Sequence, residues 1–435
     1  MLDIKLIREK KEEIKAAIGR KGADTILIDE ILELDKKRRD LLAKVERNQE
    51  ELNKYSKDIA ALHSQQKIDA INNASVVSEN IKELKPALDK VEAEYKKVLY
   101  SIPNIPSEDT PDGPDESGNK VLRQVGEKPV FDFEPKEHWQ LGEALDLIDI
   151  QRAVKISGAR FNYLKGKLVL LQFALLNYAY SILTDENKLK EIAEGAGLKV
   201  SHKAFTPVVP PVFIKPEPFE RMARIDPKEE RYYIQSDDLF LIGSAEHTLG
   251  SMFMDETLAE SALPLRLAGY SPAFRREAGS YGKDMKGILR VHQFDKLEME
   301  SFTKPEDSLN EQNFIVAIQE YLMKSLGIAY QVVQICTGDM GGPDFRQIDI
   351  ESWFPSQNTY RETHTSDSMT DYQSRRLNTR AKIGSKTEFV HMNDATVFAM
   401  GRTIAAICEN YQQKDGSIKI PEVLQKYTGF TEITG

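Results

Sequence analysis

Cysteine is nearly missing from this sequence: Cys336 and Cys408 are the only two among 435 residues. Two thiols build neither a disulfide framework nor a cysteine zinc site, and they suit a reducing compartment. Long apolar runs are missing too. Nothing approaches about eighteen consecutive apolar residues, the length a membrane-spanning helix needs. The opening MLDIKLIREKKEEIKAAIGRKG lacks the apolar stretch of a secretory signal. These absences predict a cytoplasmic chain with no membrane attachment. Positive charge is not in excess either, with 59 Lys and Arg against 69 Asp and Glu and a net charge of −10. That argues against nonspecific coating of nucleic acid, although a local basic face can still grip a polyanion. The sequence contains no P-loop motif, no GxGxxG between a strand and a helix, and no HExxH. A P-loop nucleotidase, a dinucleotide fold and a zincin site are therefore unsupported.

What is present falls into two compositional parts. Residues 6–20 read as a short amphipathic helix with a basic exposed side, stopped at Gly22. A heptad seam then runs through Ile31, Leu34, Leu41, Val45, Leu52, Tyr55, Ile59 and Leu62, with Arg38 and Asn48 filling two seam positions. A second seam runs through Val77, Ile81, Leu84, Leu88, Val91, Tyr95 and Val98. The polar stretch 64–75, with Asn72 and Asn73, is the expected turn of an antiparallel helical hairpin. Pro86 is expected to kink the second helix or delay its start. Charge alone leaves the hairpin a spacer or dimerisation arm. The proline-rich segment SIPNIPSEDTPDGPDESGN at 101–119 has the composition of a linker. The boundary placed there gives domains 1–105 and 106–435.

Beyond the linker the elements are mixed. Residues 161–183 are apolar on most sides after Lys167 and predict a buried helix, in a core or a subunit interface. TPVVPPVFI at 206–214 suits an edge or interface strand, because proline cannot donate to a central ladder. In LFLIGSAEHTL, Ser244 and Glu246 alternate onto one face of an expected strand. A buried Glu246 needs a cationic partner, for which Arg275 is the candidate. The stretch FRREAGSYGKDMKGILRVHQFDKLEME at 274–300 reads as two strands around a loop with Gly279, Ser280, Gly282, Gly287, Lys283 and Lys286, suited to a polyphosphate. A solvated surface hairpin is the ordinary alternative. CTGDMGG at 336–342 is a tight loop, and Glu351, Glu362, Thr365, Ser366 and Ser368 are oxygen donors of the kind Mg²⁺ takes. His247, His292, His364 and His391 show no metal spacing.

In this order the stretches resemble the signature elements of the class II aminoacyl-tRNA synthetases, and more finely those of the seryl-tRNA synthetase family. FRREAGSYGKDMKGILRVHQFDKLE is similar to the family's motif 2, TGDMG and QNTYRE to its central segments, GRTIAAICENYQ to motif 3, and IPNIP to its interdomain junction. The resemblance covers the whole chain and implies an α+β fold. An N-terminal antiparallel coiled-coil hairpin, the tRNA-binding arm, would precede a catalytic antiparallel β-sheet flanked by helices. It implies a serine–tRNA ligase that forms seryl-adenylate from serine and ATP with Mg²⁺ and transfers serine to tRNA(Ser). Whether tRNA(Sec) is charged too is left open. A homodimer is implied likewise, through 161–183 and 207–214.

The resemblance also assigns residues. Arg275 would bridge the α-phosphate and the serine carboxylate. Glu277, Val291, His292 and Phe294 would meet the nucleotide, with Phe294 stacking on the base, and Arg402 would cover its other face. Glu362 and Thr365 would hold the metal, threonine standing where serine is usual. Glu298 would accept the substrate hydroxyl beside Thr396, while Ser244 and Glu246 would contact the α-amino group. Asp394 stands where the family commonly has asparagine, and His247 and Thr248 replace apolar residues or proline. An added carboxyl beside Glu298 needs a raised pKa, a partner, or an outward orientation. Two rivals remain: a paralogue that activates an amino acid for another carrier, and a scaffold with an inactive nucleotide fold.

Overall fold

Apolar residues on a three-and-four spacing form two long helices, α1 (Ile26–Asp58) and α2 (Ser64–Ser101), in a computed structural model that describes residues 1–277 and 286–435. Gly279, Ser280, Gly282 and Lys283 lie outside the described residues. The helices pack against each other within a unit spanning Met1–Ile105. Ile28 and Ile31 are buried on α1, and Val77, Ile81, Leu88 and Leu99 on α2. Arg38, a polar seam position, bonds Glu92 at 3.1 Å and lies 5.4 Å from the Tyr95 ring centroid. A guanidinium here caps an aromatic and reaches a carboxylate, so it joins the two helices without an apolar contact.

Three details depart from the sequence reading. The turn falls at residues 59–63, and the polar stretch 64–75 is instead the first part of α2. Ala70, one heptad before Val77, is buried and carries the seam into that stretch; its Gln, Lys and Ala residues are good helix formers. Pro86 neither ends α2 nor delays its start. It is exposed and lies between the buried seam residues Ile81 and Leu88, whose packing outweighs its missing hydrogen bond. The first helical stretch is split into Ile4–Glu9 and Lys11–Arg20.

The second unit, Pro106–Gly435, holds an eight-stranded sheet. Its strands in chain order are β1 (Lys120–Val125), β2 (Thr206–Val208), β3 (Leu265–Phe274), β4 (Gln293–Thr303), β5 (Tyr330–Gln334), β6 (Arg346–Phe354), β7 (Thr359–Thr370) and β8 (His391–Ala399). Their spatial order is β1-β5-β6-β7-β8-β4-β3-β2, antiparallel throughout except for the pair β2 and β3. Proline confines β2 to three residues at the sheet edge. Phe213 and Ile214 belong to a separate three-stranded sheet.

Helices α3 (His138–Ala144), α4 (Lys167–Leu183), α5 (Ser308–Leu326) and α6 (Met400–Asn410) complete the frame. One face of the sheet, including Leu297, Met299, Val397, Phe398, Ile348 and Ile350, shares a core with apolar residues of these helices. The period of two along each strand then directs the intervening polar residues to the opposite face. On α4 Leu168, Leu171 and Leu175 are buried, whereas Leu170 and Phe173 are exposed. A buried ion pair ties sheet to helix: Arg266 on β3 makes two bonds to Glu311 on α5, at 2.6 and 2.7 Å, and Ser301 donates to the same carboxylate.

Truncating one partner of such a pair leaves the other charge buried and unpaired. Glu311→Ala should therefore destabilise the second unit by about 3–5 kcal/mol in denaturant unfolding, and a loss below about 1 kcal/mol would show that the pair is not structural.

Candidate active site

The polar face of the sheet carries its functional groups in cross-strand rows. Glu298 on β4 stands opposite Thr396 on β8, and Glu300 stands opposite Asp394, which in turn faces Asp367 on β7. Residues directly opposite in an antiparallel pair share a face. On the far side Thr365 faces Asp349, and Glu362 faces Glu351. Glu362 and Thr365 are three residues apart, which in a regular strand would point them to opposite faces. The register slips between Ile350 and Glu351, leaving Thr363 as the extra residue of a bulge, and this returns both side chains to one side. Gln319 of α5 fixes the strands from behind, donating at 2.8 Å to the carbonyls of Thr365 and Thr396.

Two cavities open over these rows. One, of about 820 Å³, is bordered by Asp349, Glu351 and Glu362 on its acidic side. The other, of about 110 Å³, is lined by Arg275, Glu277, Val291, Phe294, Thr365 and Thr396. They share Leu289, Arg290, Glu362 and Arg402 as a common wall. Arg275 donates through Nε to the Gly243 carbonyl at 3.0 Å and lies 5.4 Å from the Phe294 ring centroid. No carboxylate pairs with it among the described residues. Glu277, in left-handed backbone geometry, is held by Arg290 at 3.2 Å. Arg402 pairs with Glu362 at 2.8 Å. His292 lies elsewhere: its Nδ1 meets the Arg275 carbonyl at 2.9 Å and its ring packs on Phe161. It buttresses Arg275 and does not line the smaller cavity.

Ser244 and Glu246 do not share a strand. The strand ends at Leu241, and Glu246 begins the short helix Glu246–Leu249. Gly243 allows this turn to pack tightly, since a Cβ there would lie 3.2 Å from Arg231 Nη1 and 3.4 Å from the His247 ring. The turn brings both residues to Glu298, whose Oε2 accepts from Ser244 Oγ and, at 2.9 Å, from the Glu246 amide; Lys296 binds its Oε1. Burial pushes the Glu298 carboxyl up, but Lys296, Ser244 and that amide outweigh it and hold the group below its ordinary value. Lys296 was legible, sitting two residues before Glu298 and hence on the same face.

The partner of Glu246 is Arg224, at 2.6 Å, and not Arg275. The same half-buried guanidinium lies 3.5 Å from Asp344, 3.8 Å from Asp367 and 3.5 Å from Asp394. Asp394 thus points inward, toward Arg224. Nothing near Arg224 in sequence marks it as functional, because its carboxyl partners come from four distant segments. One cation cannot balance so many acids. Burial first, then neighbouring carboxyls, raise Asp394, Asp367 and Glu300 well above the ordinary carboxylate range. Both oxygens of Glu300 are buried without a hydrogen-bond partner among the described residues. Burial and the cations Arg231, Arg224, Arg275 and Lys296 keep His247 far below its usual pKa, so its ring is neutral; Nδ1 accepts from the Gly243 amide at 3.2 Å.

The donor set at Glu362 fits a hard cation. Burial opposes the charge on Glu362, but Arg402, Arg275 and Lys296 hold its pKa below the ordinary value. Burial and the neighbouring Glu362 push Asp349 well up. Two carboxyls sharing one space, with the Thr365 hydroxyl beside Asp349, suit Mg²⁺, which needs only one or two protein carboxylates when phosphate supplies the rest. Glu351 is drawn to Gln331 at 2.6 Å.

Comparison with known proteins agrees along the whole chain. The seryl-tRNA synthetase N-terminal domain family matches residues 1–106, and the tRNA synthetase class II core domain (G, H, P, S and T) matches 231–411. A serine–tRNA ligase of Exiguobacterium sp. is 39% identical over 439 residues, covering 99% of each chain. One from Nitrosopumilus maritimus is 37% identical with the same coverage. Among solved structures, seryl-tRNA synthetase from Pyrococcus horikoshii complexed with ATP superposes with a TM-score of 0.88 at 35% identity, covering 100% of this chain and 99% of that one. Cytoplasmic serine-tRNA ligase from Naegleria fowleri in complex with AMP gives 0.84 at 31%, with the same coverage.

The carboxyl surplus predicts a pH signature. A carboxyl with a raised folded-state pKa binds its proton more tightly when folded, so its contribution to stability is lost as pH rises above the ordinary carboxylate range. Glu300→Gln removes that dependence. The variant should melt a few degrees higher than the parent at pH 8 and no higher at pH 5. A lower melting temperature at both would mean that Glu300 has an ionised role.

Proposed function

The chain belongs to the seryl-tRNA synthetase family of class II ligases, and on that premise we propose how its residues activate serine and pass it to tRNA(Ser). The observation that carries the reading is Arg275, a cation over the Phe294 ring with no carboxylate partner among the described residues, in a cavity also lined by Arg402 and Glu362.

In the first step a serine carboxylate oxygen attacks the α-phosphorus of ATP, the bond to the β-phosphate oxygen breaks, and pyrophosphate leaves. Arg275 spans the carboxylate and the α-phosphate, so it is placed where negative charge gathers on the five-coordinate phosphorus. The contribution is one of alignment and charge, needing no protein nucleophile. The base lies on Phe294, near Glu277 and Val291, with Arg402 on its other face. Glu362, Thr365 and Asp349 would hold Mg²⁺, which would supply charge neutralisation to the phosphates.

For serine, Oε1 of Glu246 is taken by Arg224, leaving Oε2 for the α-ammonium. Glu298 accepts the substrate hydroxyl, joining a set already ordered by Ser244 and Lys296. A buried acceptor left unpaired by alanine can discriminate by on the order of 10⁴-fold. In the second step a hydroxyl of the terminal adenosine attacks the acyl carbonyl and AMP leaves.

The hairpin α1–α2 is proposed as the tRNA-binding arm, and tRNA(Sec) as a second acceptor of the same arm. The exposed Leu170 and Phe173 of α4 and Val209 are proposed as part of a homodimer interface in a cytoplasmic enzyme. No single helix among the described residues is long and apolar enough to cross a membrane.

Pyrophosphate exchange into ATP with serine, alanine and threonine, followed by charging of tRNA(Ser) and tRNA(Sec), tests these roles. Arg275→Ala should lower exchange at least 100-fold, and near-parental exchange would remove Arg275 from the transition state. Glu298→Ala should collapse the serine-to-alanine ratio; an unchanged ratio would place hydroxyl recognition elsewhere. Replacing residues 28–99 by a short linker should retain exchange and abolish charging. Normal charging by that variant would exclude the arm from tRNA binding.

A further inference from the structure

His138 is one of the buried histidines that the chemistry just described does not use. It is the first residue of α3 and almost wholly buried. Its Nδ1 lies 2.9 Å from Glu409 Oε1, and its backbone amide donates to the same oxygen at 3.1 Å. The other carboxylate oxygen of Glu409 accepts from Ser356 at 2.5 Å. On the far side of the ring, Nε2 lies 3.2 Å from the backbone nitrogen of Ile288. An amide can only donate, so Nε2 carries the lone pair and Nδ1 the proton that goes to Glu409. The imidazole is thus a fixed tautomer wired between two elements.

Both elements contribute to the lining of the proposed nucleotide cavity. Ile288 opens the run Ile288, Leu289, Arg290, Val291 that lines it, and Glu409 lies in α6, whose start carries Gly401 and Arg402, which line it as well. Two glycines show how tightly the Ile288 peptide is held. A Cβ on Gly287, which is in left-handed geometry, would lie 2.0 Å from His138 Nε2, and one on Gly401 would lie 2.7 Å from the Ile288 carbonyl oxygen. The peptide is therefore clamped by His138 at its N–H end and by the motif 3 helix at its carbonyl end. Trp139, the next residue, adds a second contact, with Lys286 Nζ 4.5 Å from its ring centroid.

We propose that His138 is a positioning residue for ATP: through Glu409 and the Ile288 amide it locks the returning segment of motif 2 to the motif 3 helix and so fixes the wall that these two segments give the nucleotide cavity. It touches no substrate itself. The serine-recognising groups Ser244, Glu246 and Glu298 are held by Arg224 and Lys296, independently of this link. Losing it should therefore loosen ATP binding selectively.

The proposal rests on the nucleotide assignment of that cavity, and the test separates the two. His138→Asn keeps an amide donor for Glu409 but removes the acceptor for Ile288. In pyrophosphate exchange with the full-length protein, this variant should raise the KM for ATP about tenfold, the scale expected for one buried hydrogen bond, with the KM for serine within twofold of the parent. An unchanged KM for ATP, or equal rises in both constants, would overturn it. Should His138→Asn be recovered unfolded, Glu409→Gln carries the same comparison, with a smaller but still ATP-selective rise expected. Arg402→Ala serves as the control. If it leaves the KM for ATP unchanged, the nucleotide assignment falls and the positioning role falls with it. If it raises that KM while His138→Asn does not, the positioning role alone is overturned.

Discussion

Strand β4 has to satisfy two environments at once, and the catalytic unit is arranged around that constraint. Its period of two sends Leu297 and Met299 into the helical core and Lys296, Glu298 and Glu300 to the opposite face. Neither set can move without the other, since a one-residue slip would bury three charged groups among the helices. The apolar packing of α4, α5 and α6 therefore fixes where the Glu298 carboxylate stands. Most of the precision at Glu298 is delivered from behind, by the core and by Gln319 pinning the neighbouring strands.

The groups delivered to that face are more acidic than one guanidinium can neutralise. Arg224 sits among Glu246, Asp344, Asp367 and Asp394, and the excess raises the pKa of the most enclosed carboxyls. Such an arrangement contributes less to stability than an apolar core of equal volume. It does keep an anionic pocket beside a cationic one. On one side lie groups that suit an ammonium and a hydroxyl, and on the other Arg275 and Arg402, which suit phosphates. A reaction that joins a zwitterion to a polyphosphate needs that separation, because either substrate in the other's place would meet like charge.

Strand irregularities do comparable work. The bulge at Thr363 brings Glu362 and Thr365 onto one side, and a second register shift in β8 lets Glu298 meet Thr396 while the core residues Leu297 and Phe398 remain paired. Without the first, the proposed metal ligands would point apart. Bulges are invisible to alternation arguments, since they are the places where alternation stops.

The sequence by itself determined much of this protein. Heptad spacing specified the hairpin, proline density marked the change of unit near residue 105, and one contiguous stretch carried Arg275, Phe294 and Glu298 in readable order, because strand periodicity is local. Asp349 and Lys296 were readable too, by alternation from Glu351 and Glu298. Only the tertiary structure decided what those residues meet. It turned Ser244 and Glu246 out of a strand and onto Glu298, gave Glu246 to Arg224 in place of Arg275, moved His292 behind the site, and joined His138 to Glu409 across some 270 residues. Pairings of this kind depend on how strands and helices return to one another, and no local pattern of side chains encodes the distance between segments far apart in the chain.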